Sequence, residues 1–307
     1  METSEIPNVP DSWNDPGTGA TLSFNEEGLF VDSEGNKPQK GFKNDNNFCD
    51  WLHAYIQRKL LEKGLVISHV GGENGAPIFH TPNAFKNPEK LLVLCCGAGR
   101  IHSGVWSVGV CAYHGLANGS VFPCLEDAQK RGMEVVILNP NDNRSKILSE
   151  RYQKSYGMVA HSLAVFEDFI IPGNPQRVFV ICHSMGGECT LSAIEKWPEW
   201  ALDHVEAVAM TDAVEYGMYH EGLQLQKWSF DHCINWVCSE VDVDEELPKG
   251  SGSLHRSAGT KDHPLSTGKA YPYIWKFFDD RGADKNQSPP HQSYVGKEKK
   301  PEQCNYS

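Results

Sequence analysis

Apolar residues recur in two different patterns along this chain. Between Asn47 and Gly64 they return every three or four positions, which predicts a helix that ends at Gly64. Thr21–Asp32 predicts a strand and a turn, because turn-forming residues occupy positions 25–28. Leu65–Val70 predicts a further strand. The first part of the chain therefore combines short strands with one long helix.

From residue 91 onward, continuous apolar runs alternate with helical patterns. Such runs are typical of strands in a parallel sheet that helices cover on both faces. The predicted strands are Leu91–Cys96, Glu134–Leu138, Val178–Cys182, Val205–Met210 and Cys233–Cys238. The predicted helices are Pro123–Arg131, Ile147–Ile170, Met185–Trp197 and Tyr271–Asp279, the last with Pro272 at its start. This alternation predicts an α/β fold with a doubly wound, mostly parallel sheet.

Polar composition marks both ends of the chain. Residues 1–20 and 281–307 are predicted to be loose, and residues 21–280 to form a single domain, because no linker or internal repeat divides them. Val214–Phe230 is rich in aromatic residues and predicts either a lid over a pocket or a packed crossover helix.

Composition and charge limit the classes of function. Apolar residues make up 39% of the chain and aromatic residues 10%, which is typical of a globular protein. The net charge of −12 argues against direct binding of nucleic-acid backbones. We find no signal peptide and no apolar run that could span a membrane, and the ten cysteines form no C-x-x-C pair. We therefore expect a cytoplasmic or nuclear protein that is not secreted.

The strongest chemical signal lies between a strand and a helix. The run Cys182-His183-Ser184-Met185-Gly186 ends one predicted strand and opens the next predicted helix. A serine in such a nucleophile elbow has a strained backbone and needs small neighbours, which Gly186 provides. Cys182 stands where glycine is usual, but it is also small. The motif predicts an α/β-hydrolase-like fold with Ser184 as the nucleophile.

An acid and a histidine follow this serine in the chain order of such hydrolases. His263 lies just before the last predicted helix, where the general base belongs. Asp244 and Asp242 follow the customary strand for the orienting acid, whereas Asp212 follows the strand before it. Asp244 is the preferred candidate, with Asp242 and Asp212 as alternatives.

Two backbone N–H groups are expected to form the oxyanion hole. Met185 supplies one because it follows the nucleophile. The other is expected from the loop after Leu91–Cys96, at Ala98 or Gly99. This loop lacks the spacing of a phosphate-binding motif, and no run of His, Cys and carboxylates along the sequence has metal-ligand spacing. We therefore expect no cofactor and no metal.

Several stretches make the chain resemble the Arb2 domain family, over about residues 20–280 and in the expected order. They are Asn83–Leu91, Cys96–Arg100, Ser103–Trp106, Val135–Asn141, His183–Gly187, Val208–Asp212, Asn235–Ser239, Ser257–Thr260 with His263, and Ile274–Phe278. The family takes in an argonaute small-RNA chaperone subunit, the C-terminal domain of a fungal histone deacetylase and animal cotranscriptional regulators. The chain is most similar to the animal branch.

The resemblance implies an α/β-hydrolase fold whose nucleophile position is Ser184. It also implies roles in argonaute-linked RNA silencing, chromatin and alternative splicing, exercised through protein contacts. Two features depart from the vertebrate pattern. The lysine-rich insertion after residues 139–141 is absent, which removes a feature suited to nuclear import and chromatin contact, and Met185 stands where tyrosine is usual.

Two hypotheses follow. In the first, the protein is a serine hydrolase that acts on an ester, thioester or acyl-amide through Ser184, His263 and an aspartate. In the second, it is a non-catalytic scaffold that links argonaute, chromatin or splicing complexes, with no direct contact to nucleic acid or membrane.

Overall fold

The computed structural model of the protein describes residues 6–39, 41, 45–73, 75–143, 152, 154–216, 223–248, 250 and 252–283. The strands are β1 (Ser12–Asn14), β2 (Thr21–Phe24), β3 (Phe30–Val31), β4 (Val66–Val70), β5 (Ala76–His80), β6 (Lys90–Cys95), β7 (Glu134–Ile137), β8 (Arg177–His183), β9 (Val205–Thr211), β10 (Cys233–Val237) and β11 (Leu254–Ser257). The helices are α1 (Asn46–Glu62), α2 (Val108–His114), α3 (Leu116–Gly119), α4 (Phe122–Lys130), α5 (Met158–Val165), α6 (Ile171–Gly173), α7 (Met185–Lys196), α8 (Pro198–His204), α9 (Leu223–His232) and α10 (Ser266–Asp280). A π-helical turn, Phe166–Ile170, joins α5 to α6, and a 3₁₀ turn, His263–Leu265, precedes α10.

Eight strands form the central sheet, in the order β11-β10-β9-β8-β6-β7-β5-β4. β5 is antiparallel to both of its neighbours, β4 and β7, whereas the other pairs are parallel. The α/β prediction with a mostly parallel sheet is therefore confirmed. Since parallel strands share one direction, the segments that follow β6, β8, β9, β10 and β11 meet at one edge of the sheet.

Side chains of the central strands alternate between two apolar cores. Phe179 and Ile181 of β8 lie in one core, and Val180 and Cys182 lie in the other. Helices α1, α4 and α10 cover the first face, and α5, α7 and α9 cover the second. The prediction of helices on both faces is confirmed.

Some boundaries differ from the predicted ones. The helix expected from Ile147 begins at Met158, while residues 144–151 and 153 lie outside the described ranges. α10 begins at Ser266 rather than Tyr271, because Ser266 and Thr267 are buried and anchor an extra turn, so Pro272 lies inside the helix. β5 and β11 were not predicted. They are only five and four residues long, so their local pattern is weak, and pairing with neighbouring strands decides their conformation.

The prediction that residues 1–20 are loose is wrong for the part that the structure describes. β1 pairs antiparallel with β2, so this segment belongs to a three-stranded sheet. Its tryptophan, Trp13, packs against Phe48 and Trp51 of α1, with ring centroids 5.9 and 6.0 Å apart. The Trp51 indole donates a hydrogen bond to the Pro10 carbonyl at 3.0 Å. Aromatic contacts with α1 thus order a segment whose own composition is polar.

The last described residues and α9 also belong to the folded unit. Ala283 is buried and its carbonyl accepts a hydrogen bond from Lys90 Nζ, so the domain continues past residue 280, while residues 284–307 lie outside the described ranges. Leu225 and Trp228 of α9 are buried in the second core, as expected for a crossover helix. Residues 217–222 of the same segment lie outside the described ranges, so the lid alternative remains a prediction there. Among the described helices none is long and apolar enough to cross a membrane.

Candidate active site

Ser184 occupies a sharp turn between β8 and α7. Its φ is 53° and its ψ is −125°, a conformation that costs a residue with a side chain about 1–3 kcal/mol. Three backbone hydrogen bonds hold the turn: the Ser184 amide donates to the Thr211 carbonyl, and the amides of Gly187 and Val214 donate to the Ser184 carbonyl. The neighbouring strand therefore imposes the strained turn that the sequence motif predicts.

Two glycines let the turn pack tightly. A Cβ at Gly186 would lie 2.5 Å from the Cys95 carbonyl oxygen, and one at Gly187 would lie 2.7 Å from Ala213 Cβ. Neither position has room for a side chain, because the contacts include backbone at the end of β6 for Gly186 and backbone of Val214, after β9, for Gly187. Cys182, which replaces the usual upstream glycine, fits because its side chain is buried in the second core. Burial raises the pKa of its thiol to about 12, so the thiol is neutral.

Two groups of the predicted triad lie together. His263 Nδ1 is 2.5 Å from Asp212 Oδ2, and the other Asp212 oxygen accepts a hydrogen bond from the Cys238 amide at 2.9 Å. Burial alone would raise the pKa of Asp212, but the hydrogen bonds from Cys238 and His263 hold it below its ordinary value. The carboxylate is therefore ionised at neutral pH and can orient the imidazole. Both side chains remain partly exposed, at 24% for Asp212 and 45% for His263.

His183 lies between the His263–Asp212 pair and the elbow. Its ring lies 4.6 Å from the His263 ring, centroid to centroid, and it is the residue before Ser184. Burial lowers the pKa of His183 to about 4, helped by the nearby His263, so the ring is neutral. Its Nδ1 donates to the Thr211 carbonyl at 2.9 Å. The His183 ring is thus held in place by this hydrogen bond, and the His263 ring packs against it.

The structure does not place Asp244, the preferred candidate for the orienting acid, beside His263. Asp244 Oδ1 accepts a hydrogen bond from the Trp236 indole at 3.0 Å, and its other oxygen pairs with Arg256 at 3.1 Å. The Asp242 carbonyl closes a turn by accepting from the Glu245 amide. In the described part of the chain, neither carboxylate pairs with His263. Asp212, the alternative from the end of β9, is the candidate whose carboxylate bonds to His263.

The loop after β6 lies against Ser184. A Cβ added at Gly97 would be 2.7 Å from Ser184 Cβ. Asn141 fixes the loop, because its side chain donates to the Gly97 carbonyl at 2.8 Å and accepts from the Gly99 amide at 3.2 Å. The Gly99 amide is therefore already bonded, which leaves Ala98 as the candidate from this loop.

Met185 remains the other candidate donor of the oxyanion hole. It is the first residue of α7, and no side chain in the described ranges caps this helix, so the Met185 N–H is a candidate donor to an oxyanion. The positioning role of Asn141 was missed in the sequence. Its only signal was membership of the Val135–Asn141 stretch that carries the family resemblance.

One group of side chains has converging metal-ligand atoms in the described ranges. Ligand atoms of Asp212, Cys238 and His263 all lie within 4.8 Å of one another. Burial, with Asp212 nearby, raises the pKa of the Cys238 thiol to about 12. Linear spacing gave no sign of this group, because its members are contributed by three segments that meet only in the folded sheet.

Known proteins are similar to this chain over most of its length. The cotranscriptional regulator ARB2A of Homo sapiens is 26% identical, and its homolog from Gallus gallus is 25% identical; each alignment covers 91% of this chain and 83% of the relative. A histone deacetylase structure from Saccharomyces cerevisiae superposes with a TM-score of 0.51 at 10% identity, covering 75% of this chain and 97% of that chain. At that identity the likeness shows the fold alone.

The family model described as the Arb2 domain matches residues 44–243. This range includes α1, the elbow with Ser184, and β9 with Asp212, whereas His263 follows it. Since the match covers more than half of the chain, the resemblance seen in the sequence motifs is confirmed. The chain belongs to the Arb2 domain family and has its α/β-hydrolase-like fold.

Proposed function

We propose that the protein is a serine hydrolase that acts on an ester, thioester or acyl-amide. Ser184 is the nucleophile, His263 the general base and Asp212 the orienting acid. The observation that carries the proposal is the pair His263 and Asp212, bonded at 2.5 Å, beside the strained turn at Ser184. Backbone strain at a half-buried serine beside an oriented imidazole is costly for a purely structural turn and useful for acyl transfer.

The reaction follows from the protonation states. Asp212 accepts the Nδ1 proton of His263, which leaves Nε2 of the neutral imidazole as the acceptor. Nε2 takes the Ser184 proton as Oγ bonds to the substrate carbonyl carbon. The tetrahedral oxyanion accepts hydrogen bonds from the amides of Met185 and Ala98. His263 then protonates the leaving group, and water hydrolyses the acyl-serine by the same steps in reverse order.

Labelling with a fluorophosphonate probe tests this proposal. The probe phosphonylates a serine only when a base activates it, so wild-type protein should be labelled and Ser184→Ala should not. His263→Gln should lose at least about a hundredfold in labelling rate, since the base contributes about 10²–10⁴-fold. His204→Gln, a half-buried histidine away from the elbow, is the matched control and should react like wild type. Folded wild-type protein that stays unlabelled would overturn the proposal.

A second candidate function is regulation through protein contacts. Its support is the name of the curated relatives, cotranscriptional regulator. With a net charge of −12, contact to nucleic acid would run through a protein partner, such as the argonaute, chromatin or splicing proteins that the family resemblance implies. In this case the protein acts in the nucleus, with a cytoplasmic pool if its partners are there. Affinity purification should enrich such partners equally with wild type and Ser184→Ala, and absence of enrichment would count against this function.

A further inference from the structure

Asp212, Cys238 and His263 come from three segments at the carboxyl edge of the sheet. Asp212 follows β9, Cys238 follows β10, and His263 lies between β11 and α10. Because β9 and β10 are parallel neighbours, the residues after them lie side by side, and the Cys238 amide donates to Asp212 Oδ1. One carboxylate oxygen, one thiol and one ring nitrogen thereby converge within 4.8 Å.

Cys238 differs from the other cysteines of the chain. Of the nine that the structure describes, eight are buried and Cys238 alone is partly exposed. The buried ones pack as small apolar side chains in the two cores. An accessible thiol beside an imidazole and a carboxylate is chemically different, because sulfur, nitrogen and oxygen together form a typical ligand set for Zn²⁺.

We propose that Asp212, Cys238 and His263 bind Zn²⁺, and that the metal switches off the hydrolase. Three protein ligands leave the fourth tetrahedral position to water, as in open zinc sites. Tetrahedral zinc bonds of about 2.0–2.3 Å place ligand atoms roughly 3.3–3.8 Å apart. The Asp212 and His263 atoms, now 2.5 Å apart, separate to make room for the ion, and the Cys238 sulfur, now within 4.8 Å of the other two ligand atoms, moves closer. Both movements are on the order of 1 Å.

The inhibition follows from the two nitrogens of His263. Coordination through Nδ1, the atom that now bonds to Asp212, moves the imidazole proton to Nε2. Nε2 then has no lone pair for the Ser184 proton, and Asp212 is engaged by the metal. The Cys238 thiol loses its proton to water on coordination, so one proton is released for each ion bound. No oxidation or reduction is involved.

The metal site itself does not depend on the proposed hydrolase function, whereas the inhibition rests on it. The two parts are therefore measured separately. Binding is measured with Co²⁺ as a spectroscopic substitute for Zn²⁺, and inhibition is measured by fluorophosphonate labelling. All proteins carry Cys304→Ser, since Cys304 lies outside the described residues and would add a second thiol.

Wild-type protein should bind one Co²⁺ with a thiolate-to-cobalt absorption band, and Zn²⁺ should displace it. Cys238→Ser should lose the band and at least about tenfold in Zn²⁺ affinity, since even indirect partners of a metal contribute 10- to 100-fold. Cys49→Ser, a change of a buried cysteine, and Ser184→Ala should bind like wild type. A missing band in wild type, or the same band in Cys238→Ser, would refute the site.

Saturating Zn²⁺ should suppress labelling of wild-type Ser184 by about 10²–10⁴-fold, the contribution of the general base that the metal disables, and a chelator should restore it. In Cys238→Ser, Zn²⁺ should leave the labelling rate at the value that the same variant shows without metal. Equal suppression in wild type and Cys238→Ser would refute this route of inhibition. Wild-type protein that is unlabelled without metal would refute the hydrolase proposal, and the Co²⁺ spectrum would still decide the metal site.

Discussion

At the scale of single residues, the backbone at Asp212 decides which aspartate bonds to His263. Its backbone has a φ of 45°, in the left-handed region, and its amide donates to the Trp236 carbonyl of β10. This turn at the end of β9 directs the carboxylate to His263 and to the Cys238 amide. Asp244 has a similar backbone, with a φ of 69°, but it supports Arg256 and Trp236 instead.

A pair of matched substitutions separates these two aspartates. Asp212→Asn should lower the fluorophosphonate labelling rate by about 10²–10⁴-fold, because an amide no longer holds the imidazole in the required tautomer. Asp244→Asn removes the same charge from a carboxylate that does not bond to His263, so its labelling rate should match wild type. The rates are compared at equal probe concentration and neutral pH, after circular dichroism has established that both variants are folded. Equal losses in the two variants would contradict the assignment.

The sequence narrowed the candidates for the orienting acid to three aspartates. Chain order and the ends of the predicted strands identified three candidates, Asp212, Asp242 and Asp244. Asp244 was preferred because it follows the strand after which the acid of such hydrolases customarily lies. The choice depends on which way each loop turns after its strand, and that is set by hydrogen bonds between β9 and β10. Bonds of this kind join residues far apart in the chain, so no local pattern reports them.

At the scale of elements, the elbow shows why a strand and a helix can meet around a strained serine. β8 lies between β6 and β9, and α7 starts directly above the end of β6, where only a glycine fits at position 186. Here the sequence was informative, because the required glycine and the serine are local features. The predicted boundaries of β8 and α7 agree with the observed ones to within one residue.

Gly186→Ala should destabilise the protein and distort the elbow. The added Cβ would lie 2.5 Å from the Cys95 carbonyl oxygen and 2.8 Å from that of Cys96, both on backbone that cannot move freely. Overpacking of this kind costs about 1–3 kcal/mol in the free energy of unfolding, measured by urea denaturation. Gly157→Ala is the control, since a Cβ there meets nothing within 4 Å, and its φ of −167° suits any residue. A Gly186→Ala protein as stable as Gly157→Ala would contradict this account of the elbow.

At the scale of the whole molecule, buried neutral histidines link the fold to pH. Burial lowers the pKa of His161 to about 3 and, together with His263, that of His183 to about 4. His161 accepts from the Asn139 amide at 3.0 Å and bonds to Ser155 at 2.8 Å, so it joins the loop after β7 to α5. Protonation of this ring would remove the acceptor that the amide needs.

The free energy of unfolding should therefore fall as the pH is lowered below about 6.5, the ordinary pKa of histidine. Because the pKa of each histidine is lower in the folded protein than in the unfolded chain, the unfolded chain binds more protons at pH values between the two. The contribution of each histidine to the free energy of unfolding is therefore complete above about pH 6.5 and decreases as the pH falls towards the pKa in the folded protein. Each such histidine contributes up to about 1.4 kcal/mol per pH unit. The contribution of Asp212, whose pKa is lowered from a carboxyl value, is lost only at lower pH, below about 4.

Urea unfolding of wild type and His161→Gln between about pH 7 and about pH 5 checks this dependence. The variant should be less stable at about pH 7. Below about pH 6.5 its free energy of unfolding should fall less steeply than that of wild type, by up to about 1.4 kcal/mol per pH unit, because it lacks one titrating group. Ser162→Ala changes a neighbouring buried side chain without removing a titratable group, so it should keep the wild-type slope. An unchanged slope in His161→Gln would show that another group controls the acid sensitivity.

The sequence by itself determined the class of fold, the order of most strands and helices, and the location of the elbow. These follow from the periods of apolar residues and from glycines and a serine close together in the chain, which are local properties. The tertiary structure alone decided that Asp212 pairs with His263, that Asn141 holds the loop after β6, and that the N-terminal strand is ordered by aromatic contacts with α1. Each of these depends on which distant segments the sheet brings together, since side-chain hydrogen bonds and packing act over a few ångströms in space and are independent of distance along the chain.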